Sequence, residues 1–352
     1  MTATQPLKVL VVDDSAFNQK SIADILAASP DVQVVAKASD GEEALRMVGL
    51  LQPDIITLDL EMPKMDGFTF LRILMSRTPT PVIVVSSHSQ KQNVFKALEL
   101  GALDFVAKPD RYADSELGGL RRELLAKVLL VRSVRAGALA RPRPRFESLT
   151  GEAVERIPER AAQAPRRVIA IGASTGGPTA LLEIFSRIGS HTLDAYLIAQ
   201  HMPERFTRTF AERLDRRSTV RVSEASDLER LDAGTALVCP GRKCMQLETL
   251  PAGAFRLRVV PPLETDRYVP SADRLLSSVA RAAGKRAVAI ILTGMGDDGA
   301  RGARAVMDAG GIVIAESEKS ALVYGMPGSA VRTGVVTRSL SLSEIADWLN
   351  SS

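Results

Sequence analysis

Short apolar runs rich in β-branched residues recur along the first third of the chain, at Leu7–Val12, Val32–Lys37, Ile55–Leu58, Val82–Val85 and Phe105–Ala107. Between them lie stretches with helical spacing, among them Ser15–Ala28, Gly41–Leu51 and Lys91–Leu100. Strand alternating with helix at this interval predicts a parallel sheet covered on both faces. The alternation resumes with Val168–Ile171, a helix carrying Leu181, Leu182, Ile184, Phe185 and Ile188, and strands at Ala195–Gln200 and Ala287–Leu292. The chain is therefore expected to be α/β, with two doubly wound parallel-sheet domains of three layers each. Its 352 residues allow this, at about 150 residues per domain.

Between the two halves the pattern lapses. From Val131 to Arg167 there are nine Arg, no Lys and four Glu, so this segment carries +5 of a net charge of +4 and the remainder is −1. Pro142, Pro144, Pro158 and Pro165 fall in it, with little to bury after Leu139. Clustered Pro, Arg and Glu describe a solvated linker. A nucleic-acid-binding arm is also basic, but it comes with a folded reader or stacking aromatics, and here Phe146 is the only aromatic. The expected boundaries are 1–130 for the first domain, 131–165 for the linker and 166–352 for the second. No run approaches the ~18 apolar residues of a membrane span, and Met1 to Lys8 has no apolar signal core. Cys239 and Cys244 are too few for a disulfide framework. These features point to a cytoplasmic protein with no nucleic-acid partner and no membrane insertion.

In parallel α/β sheets, ligands bind outside the carboxyl ends of the strands. In the first domain Asp13 and Asp14 follow the first strand, Asp59 the third, Ser86 the fourth and Lys108 the fifth. Three carboxylates, a hydroxyl and an ammonium at one edge suit Mg²⁺ and a phosphoryl group, with a carboxylate as the phosphoryl acceptor. Strand-end Asp and Ser residues also serve as helix caps, and Asp14 or Ser15 is a candidate cap for the first helix. Asp59 and Lys108-Pro109 have no capping rationale. The stretches Val11-Val12-Asp13-Asp14-Ser15, Leu58-Asp59-Leu60-Glu61-Met62-Pro63, Met65-Asp66-Gly67, Ser86, and Phe105 with Lys108-Pro109 together resemble a response-regulator receiver domain, of flavodoxin-like fold. The resemblance implies phosphorylation of Asp59 by a histidine kinase, Asp13, Asp14 and Asp59 around Mg²⁺, and Ser86, Phe105 and Lys108 as the switch residues.

In the second half, Gly172-Ala173-Ser174-Thr175-Gly176-Gly177-Pro178 joins a strand to a helix and satisfies Gly-x-Ser-x-Gly, a turn that presents a serine hydroxyl. This turn has neither the Gly-x-Gly-x-x-Gly of a dinucleotide loop nor the Lys-Ser/Thr of a phosphate loop. A structural turn without chemistry stays open on this motif alone. A nucleophilic serine needs a base, and the chain has three histidines. His88 and His191 read as ordinary polar positions, whereas His201 ends an apolar strand as Ser174 does. After the strand Ala287–Leu292 comes Thr293-Gly294-Met295-Gly296-Asp297-Asp298-Gly299. Either Asp297 or Asp298 is placed to orient an imidazole, or to cap the helix that begins near Ala300. The order Ser, His, Asp departs from the Ser, Asp, His of α/β-hydrolases.

That order and the flanking residues resemble the chemotaxis-type protein-glutamate methylesterases. The matching stretches are the Ser174 turn, Gln200-His201-Met202-Pro203, Phe206-Thr207, Phe210-Ala211, Arg213-Leu214, Leu292-Thr293-Gly294-Met295-Gly296, Asp298-Gly299-Ala300 and Tyr324-Gly325-Met326-Pro327. A receiver linked to this domain is the architecture of that family. The resemblance implies Ser174 as nucleophile, His201 as base, Asp298 as its orienting carboxylate and a backbone N–H near Met295 in the oxyanion site. It implies phosphorylation-activated hydrolysis of glutamate γ-methyl esters on the cytoplasmic helices of chemoreceptors, deamidation of receptor glutamines, no cofactor in the esterase site, a chemosensory histidine kinase as phosphodonor, and a monomer. Three departures stand out: Asp297 beside Asp298, Glu316 where the family often has Gln, and a long Arg/Pro linker.

Overall fold

The computed structural model describes residues 5–87, 91–108, 114–134 and 163–351. It divides into two compact units, Met1–Phe146 and Glu147–Ser352. Most of the expected linker lies outside the described residues, as do His88 and Pro109. Of the linker's ends, Leu130–Ser133 forms a 3-10 turn, and the Gln163 carbonyl accepts a hydrogen bond from Ala233 N (2.9 Å).

In the first unit, β1 (Leu7–Val12), β2 (Val32–Ala38), β3 (Ile55–Leu58), β4 (Val82–Ser86) and β5 (Asp104–Ala107) alternate with five helices. These are α1 (Ala16–Ala27), α2 (Gly41–Leu51), α3 (Gly67–Arg77), α4 (Lys91–Leu100) and α5 (Asp114–Leu129). The sheet is parallel, in the order β2-β1-β3-β4-β5. Val9, Leu10, Val11, Ile55, Ile56 and Val82 are fully enclosed, as strands covered on both faces require. Helix starts are fixed by side-chain caps: Ser15 accepts from Asn18 N, Asp40 from Glu43 N and Asp66 from Thr69 N. Ser15 rather than Asp14 caps α1, which leaves Asp14 available. The strand order reverses between β1 and β3, so the crevice at the carboxyl end of the sheet opens there. In register Val12 lies beside Leu58, and Asp59 N donates to the Val12 carbonyl (2.9 Å). Asp13 and Asp59 are thereby neighbours.

The second unit begins with β6 (Val168–Ala173), α6 (Gly177–Phe185), β7 (Ala195–Gln200) and α7 (Glu204–Asp215). Five short strands follow: β8 (Arg221–Glu224), β9 (Arg230–Leu231), β10 (Thr235–Val238), β11 (Cys244–Thr249) and β12 (Phe255–Val260). The chain closes with α8 (Ala272–Ala283), β13 (Ala287–Ile291), α9 (Ala300–Asp308), β14 (Ile312–Glu316), α10 (Met326–Arg332), β15 (Arg338–Leu340) and α11 (Leu342–Asn350). Seven strands form a parallel sheet in the order β15-β14-β13-β6-β7-β10-β8. The order places β6 at the centre, with β7 on one side and β13 on the other, so these three strands end at one crevice.

A three-stranded antiparallel sheet, β11-β12-β9, packs beside α8 and was not foreseen from the sequence. Its signal is a period of two: Phe255 and Leu257 are buried while Arg256 and Arg258 pair with Glu248 on β11. Cys239 and Cys244 are buried free thiols. Among the described residues no helix is long and apolar enough to cross a membrane.

Candidate functional site

At the carboxyl end of the first sheet, carboxylate oxygens of Asp13, Asp14 and Asp59 lie within 4.8 Å of one another. Lys108, carried on the end of β5, donates to Asp13 Oδ2 (2.8 Å) and Asp59 Oδ2 (2.5 Å). The Asp13 Oδ1 is fixed by Ser15 N and Asn18 Nδ2, and the Asp59 Oδ1 by Leu60 N (2.7 Å). Asp59 is only 7% exposed. Burial pushes its carboxyl above the ordinary carboxylate range, and Lys108 offsets this only in part. For Lys108 burial acts against the charge, yet the two carboxylates hold the ammonium above its ordinary value. Two buried carboxylates thus share one cation, with the exposed Asp14 as a third. This excess of negative, oxygen-only donors fits a hard divalent cation that keeps part of its water.

Ser86 is fully buried at the end of β4, and its carbonyl accepts from Lys108 N (2.8 Å). Phe105 is also buried, edge-on to Phe95 at 6.3 Å between ring centroids. Sequence reading missed Lys127 on α5, whose ammonium lies 5.2 Å from the Phe105 ring centre and donates to Asp104 Oδ1 (3.0 Å). No local motif marks it, because the contact spans more than twenty residues.

In the second unit Ser174 follows β6 on a left-handed turn through Gly176 (φ 78°), and Pro178 sits in the first turn of α6. His201 follows β7. Backbone bonds stitch the strand ends together: Ser174 N donates to the Thr293 carbonyl (3.0 Å), and His201 N to the Ala173 carbonyl (2.9 Å). His201 Nε2 is 2.8 Å from Asp298 Oδ2, with the Asp298 side chain 1% exposed. Asp298 also accepts from Ala272 N (2.7 Å) and Asp273 N (2.9 Å), the first two residues of α8, and from Gly299 N (3.1 Å). Burial pushes its pKa up, but His201 and the helix N–H groups outweigh that, leaving it below the ordinary carboxylate range.

The two adjacent carboxylates are thereby separated. Asp297 is exposed and takes the Tyr268 hydroxyl (3.0 Å) and Arg267 (3.2 Å) instead. Neither side chain caps α9, whose N-cap is Gly299 with no side-chain hydrogen bond. Tyr268, which sequence reading passed over, stacks on the His201 ring at 5.2 Å with 5° between the planes. His191 is exposed in the turn that precedes the amino end of β7, whereas His201 follows its carboxyl end.

The Met295 loop is anchored from both sides. Gly294 N donates to the Val323 carbonyl (3.1 Å) and Met326 N to the Gly294 carbonyl (2.8 Å), which explains the Tyr324-Gly325-Met326-Pro327 stretch as its support. A side chain at position 294 would meet Ser174 Cβ at 2.7 Å, so only glycine lets these loops touch. Glu316 is buried beneath, accepting from Thr293 N (2.7 Å) and the Ser320 hydroxyl (2.8 Å). Among the described residues Met295 N–H and Ser174 Oγ make no hydrogen bond.

The geometry allows nucleophilic acyl chemistry, with a serine, an imidazole and a buried carboxylate at the ends of three adjacent strands. The family model described as CheB methylesterase matches residues 169–349, and that of the response regulator receiver domain matches residues 9–115. The protein-glutamate methylesterase/protein-glutamine glutaminase 1 of Myxococcus xanthus is 45% identical over 350 residues, covering 99% of this chain and 98% of its own. Number 6 of the same name from Anaeromyxobacter dehalogenans is 47% identical over 342 residues, covering 96% and 93%. The crystal structure of the Thermotoga maritima CheB methylesterase catalytic domain superposes with a TM-score of 0.51 at 33% identity, covering 53% of this chain and 97% of that one. Since such identity extends over both chains almost end to end, and not over one shared domain, this protein belongs to the CheB methylesterase family.

Proposed function

We propose that the protein is a phosphorylation-activated protein-glutamate methylesterase and protein-glutamine glutaminase acting on chemoreceptors, with its receiver over residues 1–130, a linker over 131–165 and its catalytic domain over 166–352. The observation that carries the reading is the His201–Asp298 pair seated beside Ser174 at one sheet edge.

Ser174 Oγ attacks the γ-carbonyl carbon of a methylated glutamate. Asp298 occupies His201 Nε2, so Nδ1 is the nitrogen that takes the serine proton and returns it to the leaving methoxide. Methanol departs, and water enters by the same route to release glutamate and restore Ser174. With a glutamine substrate the leaving group is ammonia. The Met295 N–H, without an acceptor among the described residues, is the donor for the developing oxyanion, a role typically worth about 10²–10³ in turnover.

In the receiver, Asp59 accepts the phosphoryl group from the histidine kinase of a chemosensory system, and Asp13, Asp14 and Asp59 would hold Mg²⁺. When bound, the ion neutralises charge on the phosphoryl oxygens. Lys108 adds a fixed positive charge beside Asp59, and Ser86 and Phe105 report the change to the rest of the domain.

The test is methanol release from methylated receptor membranes with and without a phosphodonor. Asp59→Asn is expected to keep the basal rate and lose the stimulation. Full stimulation of this variant would place the phosphoryl acceptor elsewhere, and no release by the unaltered protein would overturn the esterase reading.

A further inference from the structure

We infer that Gln200 is a positioning residue that sets Ser174 against His201. The inference rests on the reading of Ser174 as nucleophile. Gln200 is the last residue of β7 and is 1% exposed. Its Nε2 donates to the Ser174 carbonyl (2.9 Å) and to the His201 carbonyl (3.0 Å). One carboxamide therefore bridges the two residues whose side chains must exchange a proton, across two strands and 26 positions of sequence.

The amide has one possible orientation. Two carbonyl oxygens accept only, so the NH₂ group must face them. Its Oε1 is left buried without a partner, one of three such side-chain atoms among the described residues. An unsatisfied buried acceptor costs free energy, and it persists here because the other face of the amide is committed twice. The space beside it is also reserved: a Cβ at Gly177 would lie 2.1 Å from Oε1 and 2.8 Å from Ala173 Cβ. Gly177 begins α6, directly after the serine turn, so the glycine is what lets the amide sit under that turn.

The bond that matters in the reaction is the one not yet formed. Among the described residues Ser174 Oγ makes no hydrogen bond, so its approach to His201 depends on how the two backbones are held. The parallel ladder sets the strands, but the ladder ends at Ala173–Gln200. The Gln200 carboxamide continues it by one step on the side where the chemistry lies.

The full chain tests this through labelling of Ser174 by a fluorophosphonate probe, in which Ser174 Oγ bonds to phosphorus, fluoride leaves and His201 takes the proton. Gln200→Met keeps the length and burial but removes both donors. Its labelling rate constant is expected to fall about 100-fold, as for a misplacement of about 1 Å, with the labelled fraction unchanged. Gln200→Glu presents oxygens to both carbonyls and satisfies one of them only when protonated. Its rate relative to the unaltered protein should therefore rise as pH falls. A purely structural role would lower the labelled fraction and leave the rate constant and the pH profile in place, which overturns the proposal. So does a Gln200→Met rate within about threefold of the unaltered protein. If the unaltered protein labels at Ser174 but releases no methanol, the esterase reading fails while this test stands. If Ser174 does not label at all, both fall.

Discussion

Replacing Ser174 by Ala is expected to lower methanol release by about 10⁴-fold or more, with no phosphodonor restoring it. The magnitude follows from the proposed role of the hydroxyl: without it no acyl-enzyme would form, and the imidazole and oxyanion donor would retain only the weak catalysis of a direct water attack. The fold should hardly notice. Ser174 Oγ makes no hydrogen bond among the described residues, whereas its backbone carries the structural contacts, through Thr293 and Gln200. Unfolding free energy should stay within about 0.5 kcal/mol of the original. A variant that folds normally and still releases methanol at a tenth of the original rate would remove Ser174 from the mechanism.

Asp298→Asn is expected to reduce turnover by about 10⁴-fold and, unlike the serine change, to destabilise the domain as well. The carboxylate accepts from His201 Nε2 and from three backbone N–H groups, two of them opening α8. An asparagine NH₂ group would point a donor at donors. It either faces Ala272 N–H and the imidazole, or it turns toward Asp273 and Gly299. The first arrangement forces the imidazole proton onto Nδ1, the nitrogen needed for the serine proton. Leaving such buried donors unmatched costs about 1–3 kcal/mol.

Acidity gives a second signature. The Asp298 pKa is depressed in the folded protein, so its contribution to stability is fully present above the ordinary carboxylate range and is lost as pH falls through the depressed value. Thermal unfolding followed from neutral to acid pH should therefore decline less steeply in Asp298→Asn. Parallel curves for the two proteins would mean that the carboxylate is not held ionised by this setting.

The parallel sheets were legible because fully enclosed strands are written as unbroken apolar runs, and their ends were legible because polar residues stop those runs. That logic reached Asp13, Asp59, Lys108, Ser174 and His201 without any contact being known. It stopped at Asp297 and Asp298, which follow the same strand and carry the same charge. The distinction between them is made by Tyr268, Arg267 and the start of α8, some 25 to 30 residues upstream, and no spacing rule connects those positions. Gln200 was visible within a motif, yet its bridging role depends on β6 and β7 being neighbours. Lys127 and the β11–β12 hairpin were overlooked for opposite reasons. The lysine acts only through tertiary contact, while the hairpin's alternation was present in Phe255–Val260 and went unread.

Catalytic loops are usually among the first parts of a protein to open, but here Ser174 and His201 are hydrogen-bonded as extensions of the central ladder. The amide protons of Ser174 and His201 are each held by a carbonyl on a neighbouring segment. In hydrogen–deuterium exchange these two amides should be as slow as those of β6 and β7, and should exchange with the interior of the sheet. The site would then lose its geometry in the same event that melts the domain's centre, so heat inactivation and global unfolding should share one transition.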